Sequence, residues 1–172
     1  TYEFPNEVSN GSVELTGAKI SPARAGVAVY DAQVFGIGEE GTIPEIEIRY
    51  VAKAEARTEP SLMPEAPAIA VQKLLKRIGL TMKDIKVAKN HNPFAVNDAV
   101  FTKITGHDWH SLNRTGCPLV WGHPQGPTLT RVLIEALEET VQLGGGYALV
   151  FGCAAGDVGI AALFEVSEGG AR

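Results

Sequence analysis

The sequence predicts an α/β domain of alternating strands and helices, and three stretches carry that prediction. Leu129, Val132, Leu133, Ala136, Leu137 and Val141 recur at helical spacing, with Pro127 suited to the first turn and Gly144, Gly145 and Gly146 suited to the end. Residues 147–152 (YALVFG) contain no charged or amide side chain, as expected of a strand buried on both faces. Ile46, Ile48, Tyr50 and Ala52 alternate with Glu45, Glu47 and Arg49, the period of a half-exposed strand.

Taken in order, residues 1–22 mix Pro5, Asn10, Gly11, Gly17 and Pro22 with short apolar pieces. They read as a loosely packed lead-in with one short strand at Val13–Leu15, ahead of a domain spanning 23–172. Residues 26–30 (GVAVY) form a strand core, and the glycine-rich 35–44 a loop. After the strand from Ile46, residues 57–64 read as loop. Pro64 and Pro67 open a helix whose apolar face is Ile69, Leu74, Leu75 and Ile78, and Gly79 closes it. Residues 84–89 (DIKVAK) form a short strand. Asn92 is the expected N-cap, and Pro93 the first residue, of a helix running to Ile104. Residues 106–118 are polar loop. The helix from Pro127 follows, with Glu135, Glu138 and Glu139 as its wet face, and then the strands 147–152 and 158–166, joined by a turn short enough for a hairpin. The order β–β–α–β–α–loop–α–β–β favours a layered α/β domain.

Composition narrows the function. Hydrophobic residues make up 45% and charged residues 20% of the 172, with a net charge of −5, ordinary values for a globular domain. No basic run supports nucleic-acid binding, no apolar run is long enough to span a bilayer, and the start lacks a signal-peptide pattern. Two cysteines, Cys117 and Cys153, make no disulfide framework, so free thiols in a reducing cytoplasm are expected.

Three residues stand where α/β sheets place chemistry. His91 follows a strand, His123 precedes a helix, and Cys153 ends a buried strand. Helix N-termini favour a neutral imidazole and a thiolate, a pair suited to acyl chemistry. Taken singly, each has a plain reading as well, with Cys153 as core and His123 as a turn hydrogen bond. His107 and His110 flank Asp108 at a spacing that metal sites use, but with no further ligand in view they read as solvated loop, and no metal is expected. Gly144, Gly145 and Gly146 follow a helix and enter a strand, the reverse of a phosphate loop.

From about Ala25 onward the chain resembles the C-terminal half of a thiolase, the family of acetyl-CoA acetyltransferases and 3-ketoacyl-CoA thiolases. His91-Asn92-Pro93-Phe94 falls on the family's Asn/His-Glu-Ala-Phe block. Asn113-Arg114-Thr115-Gly116-Cys117 and Gly122-His123-Pro124 fall on its Asn-x-x-Gly-Gly and Gly-His-Pro blocks. Cys153-Ala154-Ala155-Gly156-Asp157 falls on its Cys-x-Gly-Gly-Gly block. The resemblance implies a five-stranded mixed sheet flanked by helices. It implies CoA-dependent thiolysis of a 3-oxoacyl-CoA or the reverse Claisen condensation, with coenzyme A as substrate and no resident cofactor. His123 and His91 would serve the thioester oxygen and Cys153 would be the acid/base, with Phe94, Gly122, Ala155 and Gly156 against the substrate. The acylated cysteine would come from an N-terminal half or partner chain, in a homo- or hetero-oligomer. The sequence departs from the pattern at Asn92-Pro93, at the Pro127-Thr128-Leu129-Thr130 stretch, and at Ala154-Ala155, where a Cβ replaces glycine. It therefore looks like a divergent member, and a non-catalytic acyl-CoA-binding or scaffold subunit is the alternative. A self-contained Cys–His hydrolase would need His123 to touch Cys153.

Overall fold

The computed structural model describes residues 13–15, 18–20 and 46–168. Strands β1 (Val13–Leu15) and β2 (Ala18–Ile20) pair as an antiparallel ribbon. The remaining strands, β3 (Ile46–Arg57), β4 (Ile85–His91), β5 (Gly146–Ala154) and β6 (Val158–Glu168), form one mixed sheet in the order β3-β6-β5-β4. Helices α1 (Ala66–Ile78), α2 (Val96–Thr105), α3 (Pro118–Trp121) and α4 (Thr128–Gln142) connect or flank them. Among the described residues the sheet thus has four strands rather than the five expected. The expected strand at 26–30 and loop at 35–44 lie outside the described residues.

β5 and β6 make the predicted hairpin, and β5 pairs on its other side with β4 in parallel. Being internal, β5 needs apolar side chains on both faces, and it has them. Leu149 and Phe151 face α1 and α2, where they pack with Val71, Leu74, Leu75, Phe101 and Leu163. Ala148 and Val150 face α4 and pack with Val87, Val132, Ala136, Leu137 and Val166. The sheet therefore carries a separate core on each side. Phe101 of α2 stacks on Phe151 with ring centroids 4.5 Å apart, which fixes α2 over the carboxyl end of β5.

β3 departs from strict alternation. Its pairing with β6 shifts between Tyr50 and Ala52, a bulge at Val51. Ahead of the bulge Ile46 and Ile48 belong to the α4-side core, and beyond it Ala52, Ala54 and Ala56 join the α1-side core. One extra residue thus hands the strand's apolar set from one face to the other.

Two sequence readings need correction. α2 does not begin at Pro93: its N-cap is Ala95, with no side-chain cap. The Asn92 amide donates instead to Asp98 Oδ2 (2.6 Å), so it is spent on a carboxylate rather than on a helix terminus. Nor do Glu135, Glu138 and Glu139 form a wet face. Glu139 is buried and Glu135 and Glu138 are half-buried, because β4 places a lysine beneath that side of α4.

Gly159 of β6 sets how closely α1 approaches the sheet. A Cβ there would lie 2.3 Å from both Ala66 C and Pro67 N, backbone atoms that cannot swing aside. Gly159→Ala should therefore cost about 2–3 kcal/mol as an overpacked core position. Gly126→Ala, where a Cβ meets nothing within 4 Å, should be nearly neutral. Urea unfolding of the two variants tests this, and equal midpoints would refute it.

Candidate active site at the carboxyl ends of β4 and β5

The parallel register sets His91 beside Gly152, one residue before Cys153. Alternation then separates their side chains. Lys89 and His91 point to the α4 face, while Asn90 and Cys153 point to the α2 face. Gly152 must lack a side chain, since a Cβ there would lie 2.6 Å from His91 Cβ and 3.1 Å from its ring.

On the α4 face the two imidazoles meet. His91 Nε2 lies 3.3 Å from His123 Nδ1, with ring centroids 4.7 Å apart in an edge-on arrangement. His123 Nδ1 also lies 3.0 Å from Thr128 Oγ1, a hydroxyl that the first residue of α4 holds fully buried. His91 is 6% exposed, and its Nδ1 is buried with no partner among the described residues. Burial, with His123 acting in the same direction, lowers its pKa to about 4, so the ring is neutral near pH 7. Burial, rather than the field of a helix N-terminus, is the cause of that neutrality.

Two residues before His91, Lys89 is completely buried. Its Nζ pairs with Glu139 Oε2 at 2.8 Å and hydrogen bonds Thr115 Oγ1, which in turn donates to the same Glu139 oxygen at 3.1 Å. This closed triad ties β4 to the loop before α3 and to the last third of α4. Asn113 reinforces the loop: its Oδ1 accepts from Asn90 N–H (2.9 Å) and its Nδ2 donates to Asn90 O (3.1 Å), a side chain acting as an extra strand rung.

On the α2 face Cys153 is half-buried, and Asn97 Nδ2 donates to its Sγ at 3.5 Å. Burial raises the thiol pKa, a push that the Asn97 bond and a backbone amide oppose. This corrects the expected thiolate: Cys153 sits in the chain as a thiol, because desolvation outweighs the donors. Asp98 gathers Asn90 Nδ2 (2.8 Å) and Asn92 Nδ2 (2.6 Å), locking the segment between β4 and α2.

The other predicted positions are solvent-facing. Phe94 is 54% exposed, and Gly122 is exposed at the end of α3 with φ +93°. Ala155 and Gly156 form the exposed turn of the β5–β6 hairpin. The left-handed backbone there falls on Gly156 (φ 89°) and Asp157 (φ 60°), so alanine at 155 is unstrained. Asp157 also anchors the hairpin, its carbonyl accepting from Thr58 N–H (3.0 Å) and its Oδ1 from Ser61 N–H (3.1 Å). His123 is held by His91 and Thr128 and Cys153 by Asn97, so the hydrolase reading, which needs the two to touch, gains no support. Away from the site, His107 bonds Ser111 Oγ and His110 bonds Asp108, both at 2.7 Å.

The family model described as thiolase, C-terminal domain, matches residues 45–166. The chain belongs to the thiolase family. It is 36% identical over 117 residues to the beta-ketothiolase BktB of Cupriavidus necator, covering 68% of this chain and 30% of that protein. The human mitochondrial 3-ketoacyl-CoA thiolase superposes with a TM-score of 0.65 at 28% identity, over 69% of this chain and 30% of that one. The Acat5 thiolase of Ascaris suum, solved in complex with coenzyme A, gives 0.62 at 27% identity over the same shares. The chain thus spans about 30% of the length of these relatives. Sequence reasoning had missed Asn97, Thr128 and the Lys89–Glu139 pair as site supports. The one available signal was the departure from small residues at Thr128.

Lys89→Met should destabilise by about 3–5 kcal/mol, since it strands Glu139 in a buried position. Adding Glu139→Leu should recover most of that loss, because an apolar pair needs no counter-charge. Denaturant unfolding of the single and double variants measures both, and a double variant no better than the single would contradict it.

His91 supplies a pH test. Its folded pKa lies below the unfolded value, so on acidification the unfolded chain takes up the proton first. Stability attributable to His91 should be complete above pH 6.5 and be lost progressively toward about pH 4. Melting curves across that range should fall more steeply for the native chain than for His91→Gln, and parallel curves would count against it.

Proposed function

We propose that this chain supplies the acid/base and oxyanion-binding half of a thiolase. The activity is CoA-dependent cleavage of a 3-oxoacyl-CoA, or the reverse condensation. The observation that carries the reading is that His91 and Cys153 stand at the carboxyl ends of neighbouring parallel strands, with His123 against His91.

Cleavage requires the Cα–C3 bond to break with its electron pair left on an enolate. A thiol that burial keeps protonated can give its proton to that carbon, and the resulting thiolate can take one back in the condensing direction. The enolate oxygen needs donors already in place. With His123 Nδ1 accepting from Thr128 Oγ1–H, a proton on Nε2 can be donated outward. A neutral His91 adds a second polar group without bringing a competing charge.

Phe94, Gly122, Ala155 and Gly156 would contact the acyl-CoA thioester. The acylated cysteine would come from a preceding half or a partner chain, which would also cover the exposed Phe94, Val96, Leu119 and Val120 beside the site. An oligomer in the cytoplasm fits this reading, and among the described residues no helix is long and apolar enough to cross a membrane.

A second reading, a non-catalytic acyl-CoA-binding or scaffold subunit, draws on the raised Cys153 pKa and on Ala154-Ala155. Cys153→Ala in the complete protein separates the two. Condensation should fall at least a thousandfold while the acyl-enzyme still forms, as seen by intact mass (about 10³ from losing an acid/base). Condensation at near-native rate in the variant would remove Cys153 from the chemistry, and no turnover in the unaltered protein would favour the scaffold.

A further inference from the structure

The Asn97 side chain is 2% exposed and rises from the first turn of α2 into the space beside Cys153. Its Nδ2 donates to Cys153 Sγ, and its buried Oδ1 has no partner among the described residues. An amide buried at that level normally satisfies both ends. Here one end is committed to a sulfur and the other is in reserve.

From this geometry we infer that Asn97 is the positioning residue for Cys153, holding the sulfur in place and serving it in both of its protonation states. The inference rests on the proposed acid/base role of Cys153. A proton-shuttling sulfur alternates between a thiolate, which only accepts hydrogen bonds, and a thiol, which can also donate one. A carboxylate partner would suit only the thiol, and an ammonium only the thiolate. A primary amide suits both: Nδ2–H donates to the thiolate, and after a half-turn of the amide Oδ1 accepts from S–H. The unpartnered Oδ1 leaves that half-turn with no hydrogen bond to break other than the one to Cys153 itself. Phe101 on the next turn of α2, stacked on Phe151, keeps the backbone of Asn97 at fixed height over β5.

No charged side chain on the surrounding elements is among the causes of the Cys153 shift. His91 of β4 turns to the opposite face toward His123. Asp98 of α2 is engaged by Asn90 and Asn92. Arg57 of β3 lies by the hairpin turn, its Nη2 3.9 Å from where a Gly156 Cβ would stand. Asp157 of the hairpin is turned to Ser61, and Glu65 precedes α1. The shift of Cys153 is set by burial, then Asn97, then its own backbone amide.

The test is the pH profile of Cys153 alkylation by iodoacetamide in the full chain, read by peptide mass so that Cys117 is scored apart. Asn97→Leu keeps the volume and removes both hydrogen-bonding ends. Asn97→Asp keeps the shape and leaves only acceptors. Relative to the native chain, Asn97→Leu should slow Cys153 alkylation at pH 7 about tenfold, the worth of a hydrogen bond to an ionised group. Its profile should move to higher pH, and Asn97→Asp should move it further, through like-charge repulsion. Circular dichroism confirms that each variant is folded, and the isosteric Asp form keeps the test open if the Leu form is not. Native Cys153 that reacts, with both variant profiles superimposed on its own, overturns the role of Asn97 and leaves Cys153 as acid/base intact. Native Cys153 inert at every pH, in a folded chain, overturns both.

Discussion

The contact between His91 and Gly152 is the constraint on which the site depends. At this rung the two parallel strands approach so closely that a Cβ on residue 152 would lie 2.6 Å from His91 Cβ. The glycine is therefore the condition under which an imidazole can stand over the sheet end rather than beside it. Once the ring is there, it reaches across to His123, whose position is fixed in turn by a buried hydroxyl at the start of α4. The low pKa of His91 follows from the same closeness, because the space that admits the ring excludes water from it.

The polar network beneath the rings is the compensation for burying so much hydrogen-bonding capacity. Lys89, Thr115 and Glu139 satisfy one another, and Asn113 repairs the edge of β4 with its amide. Such networks bring specificity of arrangement more than net stability, since a buried pair of charges gains little over apolar residues of the same size. Here the arrangement specified is the relative position of β4, the loop before α3 and α4, the three segments that carry or support the histidines.

Much of this was legible in the sequence, and the rest was hidden for identifiable reasons. Period and punctuation located β3, α1, α4 and the β5–β6 hairpin, because apolar spacing and glycine or proline ends are local properties. The bulge at Val51 was not legible: alternation continues through it in the letters, and only pairing with β6 reveals the change of face. The helix start at Val96 was missed because Asn92 and Pro93 look like a cap, while the actual partner of Asn92, Asp98, lies within the helix. Glu139 looked solvated because its helix position is outward by charge alone, and the lysine that neutralises it lies 50 residues earlier in the chain. The ordinary motif logic singles out His91, His123 and Cys153, yet the protonation of Cys153 depends on surrounding volume, which no string of letters encodes.

Strand alternation puts the imidazole pair and the sulfur on opposite sides of one sheet, each against its own helix and its own core. The two groups of side chains are thereby packed by different layers. Under the proposed roles, drift in the packing of α4 would act first on the oxygen-binding pair, and drift in α2 first on the proton-moving sulfur. A protein engineer inherits the same pair of dials, each turned by repacking a different layer.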